Sequence, residues 1–303
     1  MTPLRLVEVV REIPGAALVD AAHADVAITG VHHDSRAVAP GDLFVARPGG
    51  HVDGARFVAD AIAKGAVAVL APRGAAIDAK GAALVEVDDV ARGLAFAAAA
   101  VYGHPTFALE VVGVTGTNGK TTTTYLAKAA IDACGGKTGL VGTLGYRFGD
   151  LDLPATHTSP EADELARVSA AMLARGATHL AMEVSSIALA AKRVEAVRFR
   201  VAAFTNLTQD HLDYHATMHA YGEAKARLFF DLEPGSAVIN VDDAFGAELA
   251  RRFVAGGAHA GLLARVSSDV GAADADVAPT SLEVGPRGID MSVRTPSGDA
   301  RVR

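Results

Sequence analysis

Tryptophan is missing from this 303-residue chain, and aromatic residues make up only 5% of it. Packing must therefore fall mainly to Ala, Val and Leu. Cysteine is nearly missing as well. The single Cys134 excludes an internal disulfide framework and any cysteine-based zinc site. No apolar run reaches the ~18 residues of a membrane span. The first apolar segment carries Glu8 and lacks the charged start, long apolar run and small-residue cleavage site of a signal peptide, so the expected compartment is the cytoplasm. Positive charge is also scarce. Lys and Arg number 28 against 35 Asp and Glu, for a formal net charge of −7. That balance speaks against a generally basic nucleic-acid binder and leaves room for a local anion site. No repeat of solenoid type is present.

What is present is apolar material. Hydrophobic residues reach 50%, charged residues 21%, and mean hydropathy is +0.25, the opposite of a disordered composition. At ~150 residues per domain the length suggests about two domains. Apolar runs alternate with Ala-rich stretches. Strands are predicted at 66–70 and 83–87, with helices at 55–64 and 89–102. Tyr102-Gly103-His104-Pro105 punctuates the chain as a candidate domain boundary. A second alternation follows, with strands at 109–114, 138–142, 178–183, 199–204 and 236–240 and helices at 120–133, 161–175 and 217–230. The pattern argues for α/β architecture with a largely parallel or mixed sheet. From about 252 onward periodicity weakens, with two candidate strands at 280–284 and 289–294.

The sharpest local signal is Val111-Val112-Gly113-Val114-Thr115-Gly116-Thr117-Asn118-Gly119-Lys120-Thr121-Thr122. An apolar strand enters a glycine-containing turn that ends in Gly-Lys-Thr at a helix start. Glycines allow close backbone approach, and successive N–H groups at a helix N-terminus favour anions. Lys120 would reach the β and γ phosphates of a nucleotide, and the Thr121 hydroxyl could ligate Mg²⁺. Val114 occupies the first glycine position of the common phosphate-loop pattern, so this is a variant, Gly-x-x-Gly-Lys-Thr.

Two clusters follow later strands. Glu183 ends the run Ala181-Met182-Glu183-Val184-Ser185-Ser186, where α/β proteins place ligand groups. The run from Phe204 to His215 ends another strand with Asp210, His211, Asp213 and His215. Mg²⁺ prefers oxygen ligands, with His211 an unusual nitrogen ligand. Thr156-His157-Thr158-Ser159-Pro160 reads, on its own, as a capping loop before a helix. Taken alone, Glu183 reads as a solvated strand-end acid and Lys225 as a solvated helix lysine.

Together these motifs resemble the Mur ligases, and within them the MurE type, from about residue 25 to the end of the chain. Gly116 to Thr122 is similar to the Mur phosphate loop. Glu183-Val184-Ser185-Ser186, Arg193-Val194, Thr205-Asn206-Leu207 and Asp210 to His215 resemble the MurE series. Asp34-Ser35-Arg36, Pro40 to Ala46 and Asp53-Gly54 are shared by MurE and MurF.

The resemblance implies a UDP-sugar-binding N-terminal α/β domain at 1–105 and a central ATP-binding ligase domain at 106–303. The latter is expected to be incomplete, with a C-terminal amino-acid-binding domain absent. It implies an ATP-dependent amide ligase of peptidoglycan synthesis. Such an enzyme adds a third amino acid, meso-diaminopimelate or L-lysine, to UDP-N-acetylmuramoyl-L-alanyl-D-glutamate through an acyl phosphate. The cofactors implied are ATP, Mg²⁺ and a CO₂-derived carbamate on Lys225. By matched position, His33, Ser35, His51 and Val52 would lie at the uridine end of the substrate. His157, Thr158, Ser159, Ser185 and Arg193 would hold the sugar-peptide and diphosphate. Gly116, Thr117, Asn118, Gly119, Lys120, Thr121 and Thr122 would hold ATP. Thr121, Glu183, His211 and carbamylated Lys225 would serve the metal, and Lys120, Glu183, His211 and Lys225 the catalysis. The alternatives are a non-catalytic UDP-sugar or ATP-binding module, a generic phosphate-loop ATPase, and the neighbouring ligases MurF, MurD and MurC.

Overall fold

The computed structural model describes residues 3–49, 53–256, 262–286 and 288–303. The first sheet contains Ala17–Leu18 (β1), Gly30–His32 (β2), Asp42–Val45 (β3), Ala68–Pro72 (β4) and Ala83–Val87 (β5) in the order β1-β5-β4-β3-β2. Every neighbouring pair is parallel except β1 with β5. Helix α1 (Leu6–Glu12) and helix α3 (Val90–Val101) bury their apolar faces in the same core as β2 to β5. The sequence-expected helix at 55–64 is two pieces, a 3₁₀ turn Gly54–Phe57 and helix α2 (Val58–Ala63). Asp53 accepts the Ala55 N–H and starts the turn.

Helix α3 shows how the Ala-rich composition is used. Asp89 caps it by accepting the Arg92 N–H. Leu94, Ala95, Ala97 and Ala98 are then buried in one cluster with Val45 and Leu70 of the sheet and Ala162 and Ala166 further along the chain. Alanine loses no side-chain entropy in a helix, so an almost wholly buried helix can pack between two layers at little cost.

The second sheet has eight strands. They are Glu110–Thr115 (β6), Thr138–Gly142 (β7), Gly145–Phe148 (β8), Leu151–Leu153 (β9), His179–Glu183 (β10), Phe199–Phe204 (β11), Ser236–Asn240 (β12) and Leu262–Val266 (β13), in the order β9-β8-β7-β10-β6-β11-β12-β13. From β7 to β13 the ladder is parallel, and β8 and β9 add an antiparallel edge. Its helices are α4 (Lys120–Ala133), α5 (Ala162–Ala174), α6 (Ser186–Ala190), α7 (Met218–Phe230) and α8 (Ala244–Ala255). The tail forms a separate antiparallel sheet from Ala278–Gly285 (β14), Gly288–Thr295 (β15) and Gly298–Val302 (β16). Both expected tail strands are present but longer, and α1, β1, β2, β3, β8, β9, α6, α8, β13 and β16 are additions to the sequence reading.

Register places the site. Glu183 of β10 lies opposite Val114 of β6, and Phe204 of β11 lies opposite Thr115. The loops leaving β6, β10 and β11 therefore emerge side by side at the carboxyl edge of the sheet, where open α/β sheets bind ligands.

Charged pairs join the two sheet regions. His33, just after β2, gives its backbone N–H to Asp163 Oδ2 at 3.2 Å, and its Nδ1 lies 2.9 Å from the same carboxylate. Arg47 reaches Glu161 at 2.6 Å, and Lys192 pairs with Asp89. Burial by itself would lower the His33 pKa, but the Asp163 hydrogen bond and charge carry it above its ordinary 6.5. Burial would likewise raise the Asp163 pKa, but His33 holds it below its ordinary 3.8. The raised histidine stabilises fully below about pH 6.5, and this is lost as pH rises through its folded value. The depressed aspartate stabilises above about pH 3.8, and this is lost as pH falls through its folded value. Asp163→Asn is therefore expected to cost about 1–3 kcal/mol near pH 5.5 and clearly less near pH 8.5. Paired thermal melts at the two pH values check this; an equal loss at both would contradict it.

Candidate functional site

The turn after β6 is shaped by its glycines. Gly116 has φ 143°, and a Cβ there would sit 1.9 Å from Thr205 Oγ1 and 3.1 Å from the Asn206 backbone. Only glycine fits that close approach. Gly119 has φ 85° and immediately precedes α4. The loop is held by a distant stretch. Thr117 N–H donates to Asn206 O at 2.8 Å, Asn118 N–H to Asn206 Oδ1 at 3.0 Å, and Thr205 Oγ1 to Asn118 O at 2.7 Å. Asn118 and Thr122 are exposed at its rim.

Lys120 folds back over this loop. Its Nζ donates to Gly116 O at 3.0 Å and Thr117 O at 2.8 Å. Burial lowers its pKa, with Glu183 and Asp210 opposing.

Glu183 is only 2% exposed, which corrects its bare-sequence reading as a solvated strand-end acid. Its Oε1 accepts the Thr121 hydroxyl and the Thr143 N–H, both at 2.9 Å, and its Oε2 accepts the Thr143 hydroxyl at 3.3 Å. A Cβ on Gly142 would lie 2.2 Å from Oε1. Gly142 therefore makes the space this carboxylate occupies. Thr143 Oγ1 also lies 3.1 Å from Thr158 Oγ1.

Lys225, in α7, is 1% exposed, which corrects its bare-sequence reading as a solvated helix lysine. Its Nζ donates to Gly116 O at 2.8 Å and sits 4.2 Å from the centre of the Tyr221 ring. Burial first, then the neighbouring Lys120 charge, lowers its pKa to about 7. Tyr221 OH in turn lies 3.2 Å from Thr117 Oγ1.

The expected capping role of Thr156 to Pro160 is not what forms. Glu161 stands at the N-cap of α5, and no side chain caps there. The Ser159 hydroxyl is committed to the β10 end, donating to Glu183 O and accepting the Ser185 N–H, both at 2.9 Å. Ser185 itself caps α6 by accepting the Ala188 N–H. Arg193 Nη1 donates to Ser159 O at 3.0 Å. Ser159, Ser185 and Arg193 thus form one connected group beside Glu183, while the exposed His157 offers its carbonyl to Tyr146 OH at 3.0 Å.

His211 is exposed, adopts φ 51° and lies 3.5 Å from Asp210 Oδ2. Its ring centre is 6.2 Å from that of Tyr221. The short helix Leu212–His215 that follows it is anchored by His215, whose buried Nε2 lies 2.9 Å from Ser186 Oγ. Among the described residues no three or more His, Cys, Asp or Glu side chains form a ready-made metal cage. Carboxylate and hydroxyl oxygens at Glu183 and Thr121 are the donor set that suits a hard cation. His33 is turned to Asp163, and the Ser35 carbonyl accepts Lys64 Nζ at 2.9 Å. His51 and Val52 lie outside the described residues.

Residue-type reasoning passed over Thr143, Gly142, Tyr221, Glu161 and Asp163. Only the last two left a signal, as acids at a helix start, and that signal reads equally well as helix-dipole complementation.

A Gly-Lys-Thr loop at the carboxyl edge of a parallel sheet, with a buried carboxylate on its threonine, defines an α/β protein of phosphate-loop build. Residues 114–289 match the Mur ligase middle domain, and residues 27–102 match the catalytic domain of the Mur ligase family. The chain belongs to the Mur ligase family. It is similar to the UDP-N-acetylmuramoyl-L-alanyl-D-glutamate–2,6-diaminopimelate ligase of Geobacter metallireducens, at 47% identity over 75% of this chain and 46% of that protein. The protein of the same name from Synechococcus elongatus is 45% identical over 90% of this chain and 55% of its own length. The chain therefore spans about half the length of these curated relatives. A solved structure of a ligase of that name has a TM-score of 0.83 at 27% identity, covering 100% of this chain and 60% of the other. MurF of Thermotoga maritima, solved with ADP, shares the fold with a TM-score of 0.58 at 20% identity over 90% of this chain and 57% of its own.

Proposed function

We propose that this chain carries the UDP-substrate and ATP-handling parts of a cytoplasmic MurE-type ligase. Residues 1–105 would hold the uridine end and 106–303 the nucleotide. The reaction joins the amine of a diamino acid, diaminopimelate in keeping with the relatives' names, to the terminal carboxylate of UDP-N-acetylmuramoyl-L-alanyl-D-glutamate. The carrying observation is that Lys120, Thr121, Glu183 and buried Lys225 converge on one loop at the sheet edge.

Each residue has a task in this reading. A substrate carboxylate oxygen attacks the γ-phosphorus of ATP, ADP departs, and an acyl phosphate forms. The amine then attacks the acyl carbon, and phosphate leaves. Lys120 would exchange its two loop carbonyls for the phosphates of ATP, and the Gly116–Thr122 backbone would cradle them. Thr121, Glu183 and His211 would hold Mg²⁺, which when bound neutralises charge on the phosphoryl oxygens. Ser159, Ser185, Thr158 and Arg193 would orient the sugar-peptide. Lys225 would take up CO₂: its neutral nitrogen bonds the carbon and loses a proton, giving a carbamate anion with two oxygens. A pKa of about 7 supports this, because a substantial share of the amine is then neutral at physiological pH.

The test is calorimetry of the chain with Mg²⁺ and a non-hydrolysable ATP analogue, and separately with UDP-N-acetylmuramoyl-L-alanyl-D-glutamate. Both are expected to bind. Lys120→Ala is expected to weaken the nucleotide about 10- to 100-fold, the scale of a charge-assisted hydrogen bond. Binding of neither ligand, or nucleotide affinity untouched by Lys120→Ala, would overturn the assignment.

A further inference from the structure

Arg193 and Arg47 approach one carboxylate from opposite sides of the boundary between the two sheet regions. Arg193 Nη2 lies 2.8 Å from Glu161 Oε1, and Arg47 Nη1 lies 2.6 Å from Glu161 Oε2. The Arg193 and Glu161 side chains are 13% and 12% exposed, and Arg47 is 27% exposed. Each guanidinium thus receives a single oxygen of one acid, where a carboxylate or phosphate could offer a paired fork. Buried Arg193 Nε has no hydrogen-bond partner among the described residues. Charge is uneven as well. Among the described residues, Arg47 and Arg193 pair with Glu161, and a His33 whose pKa is raised pairs with Asp163. The Glu161 carboxylate accepts no capping hydrogen bond from its own helix α5.

We propose that Arg47 is a ligand-contacting residue, and that with Arg193 it forms a two-arginine anion seat which Glu161 fills until an anionic substrate group replaces it. The inference rests on the reading that this chain binds a UDP-sugar peptide. It adds a contact from the N-terminal sheet region and an internal carboxylate that stands in for the ligand. The ligand group is a carboxylate or diphosphate, which offers more acceptor oxygens than Glu161 and satisfies the idle Arg193 Nε–H. On its arrival Glu161 gives up both arginines and turns toward solvent. Ligand binding therefore exchanges one salt bridge for another and is not charged the full desolvation of two bare guanidiniums.

The experiment is calorimetry of the 303-residue chain with UDP-N-acetylmuramoyl-L-alanyl-D-glutamate and with UDP-N-acetylglucosamine, which keeps the diphosphate and lacks the peptide carboxylates. Arg47→Ala is expected to weaken the dipeptide ligand about tenfold or more. Glu161→Gln is expected to tighten it several-fold, because a neutral amide competes poorly for two arginines. A merely structural strap gives the opposite sign, with Glu161→Gln weakening binding alongside Arg47→Ala. Either that result or an Arg47→Ala affinity equal to wild type overturns the seat. Loss by both ligands in Arg47→Ala identifies the diphosphate as the seated group, and loss by the dipeptide ligand alone identifies a carboxylate. Should Arg47→Ala melt early, Arg47→Lys keeps the charge across the boundary. It is expected to bind several-fold more weakly than wild type, because an ammonium cannot form the fork, and wild-type affinity in that variant overturns the seat. A wild-type chain that binds neither ligand brings down the substrate reading itself. A wild-type chain that binds, but with arginine and glutamate variants unchanged, brings down this inference alone.

Discussion

Lys225→Arg is expected to lose about 10- to 100-fold of ligase turnover, measured in this chain extended by the C-terminal half of a relative. Lys225 Nζ is buried on the Gly116 carbonyl with Lys120 on the same oxygen. Arginine would keep a positive charge there at every accessible pH and has no amine able to take up CO₂. Its larger head would also have to fit where 1% of the lysine is exposed. Lys225→Ala removes the charge as well as the carbamate, so short-chain carboxylates supplied in the assay are expected to restore part of its turnover. Lys225→Arg is expected to show no such rescue. An independent reading comes from the unextended chain in ¹³C-bicarbonate, where a carbamate carbon signal should be present in wild type and missing from Lys225→Ala. Full turnover in Lys225→Arg, or a labelled signal that survives Lys225→Ala, would return this residue to a structural role.

Gly116→Ala is expected to be severely damaging. A Cβ at this position meets Thr205 Oγ1 at 1.9 Å and main-chain atoms of Asn206 at 3.1 Å, and φ of 143° is one that alanine rarely adopts. Backbone strain of about 1–3 kcal/mol and overpacking of about 1–3 kcal/mol together predict a loss of about 2–6 kcal/mol. Nucleotide binding should fall with it, because the Gly116 carbonyl anchors both Lys120 and Lys225. Gly119→Ala is the internal control. Its Cβ would come no closer than 3.9 Å to Thr205, so only the strain of φ 85° remains. Denaturant melts of the two variants should separate clearly, and a Gly116→Ala chain that melts like wild type would refute the argument.

The β–loop–α run from Val111 to Thr122 was legible because its information is local: an apolar strand, two glycines, then Lys-Thr at a helix start. The position of Glu183, an acid closing an apolar strand, was legible for the same reason, but its burial was not. What surrounds them was not. Thr143 holds the Glu183 carboxylate only because β7 lies beside β10, and no spacing in the sequence announces that neighbour. The burial of Lys225 depends on α7 packing beneath the phosphate loop; without the resemblance its sequence surroundings say only helix. Ser159 looked like a cap because hydroxyls before helices often are caps, yet the β10 end claims its hydrogen bonds. Helix α8 is a different case. Phe245, Leu249, Ala250 and Phe253 recur at helical spacing behind the capping Asp243, so the signal was present and the Gly- and Ala-rich surroundings obscured it.

The phosphate loop is held in shape by residues 87 to 91 positions further along the chain, at Thr205, Asn206 and Thr208. A loop closed over that sequence distance must form against chain entropy before its own bonds reward it. During synthesis, residues 111–122 would leave the ribosome long before the stretch that braces them. On the proposed reading, nucleotide binding would then require β11 to have docked beside β6. A bound nucleotide would then report that the pairing of β6 with β11 is in place.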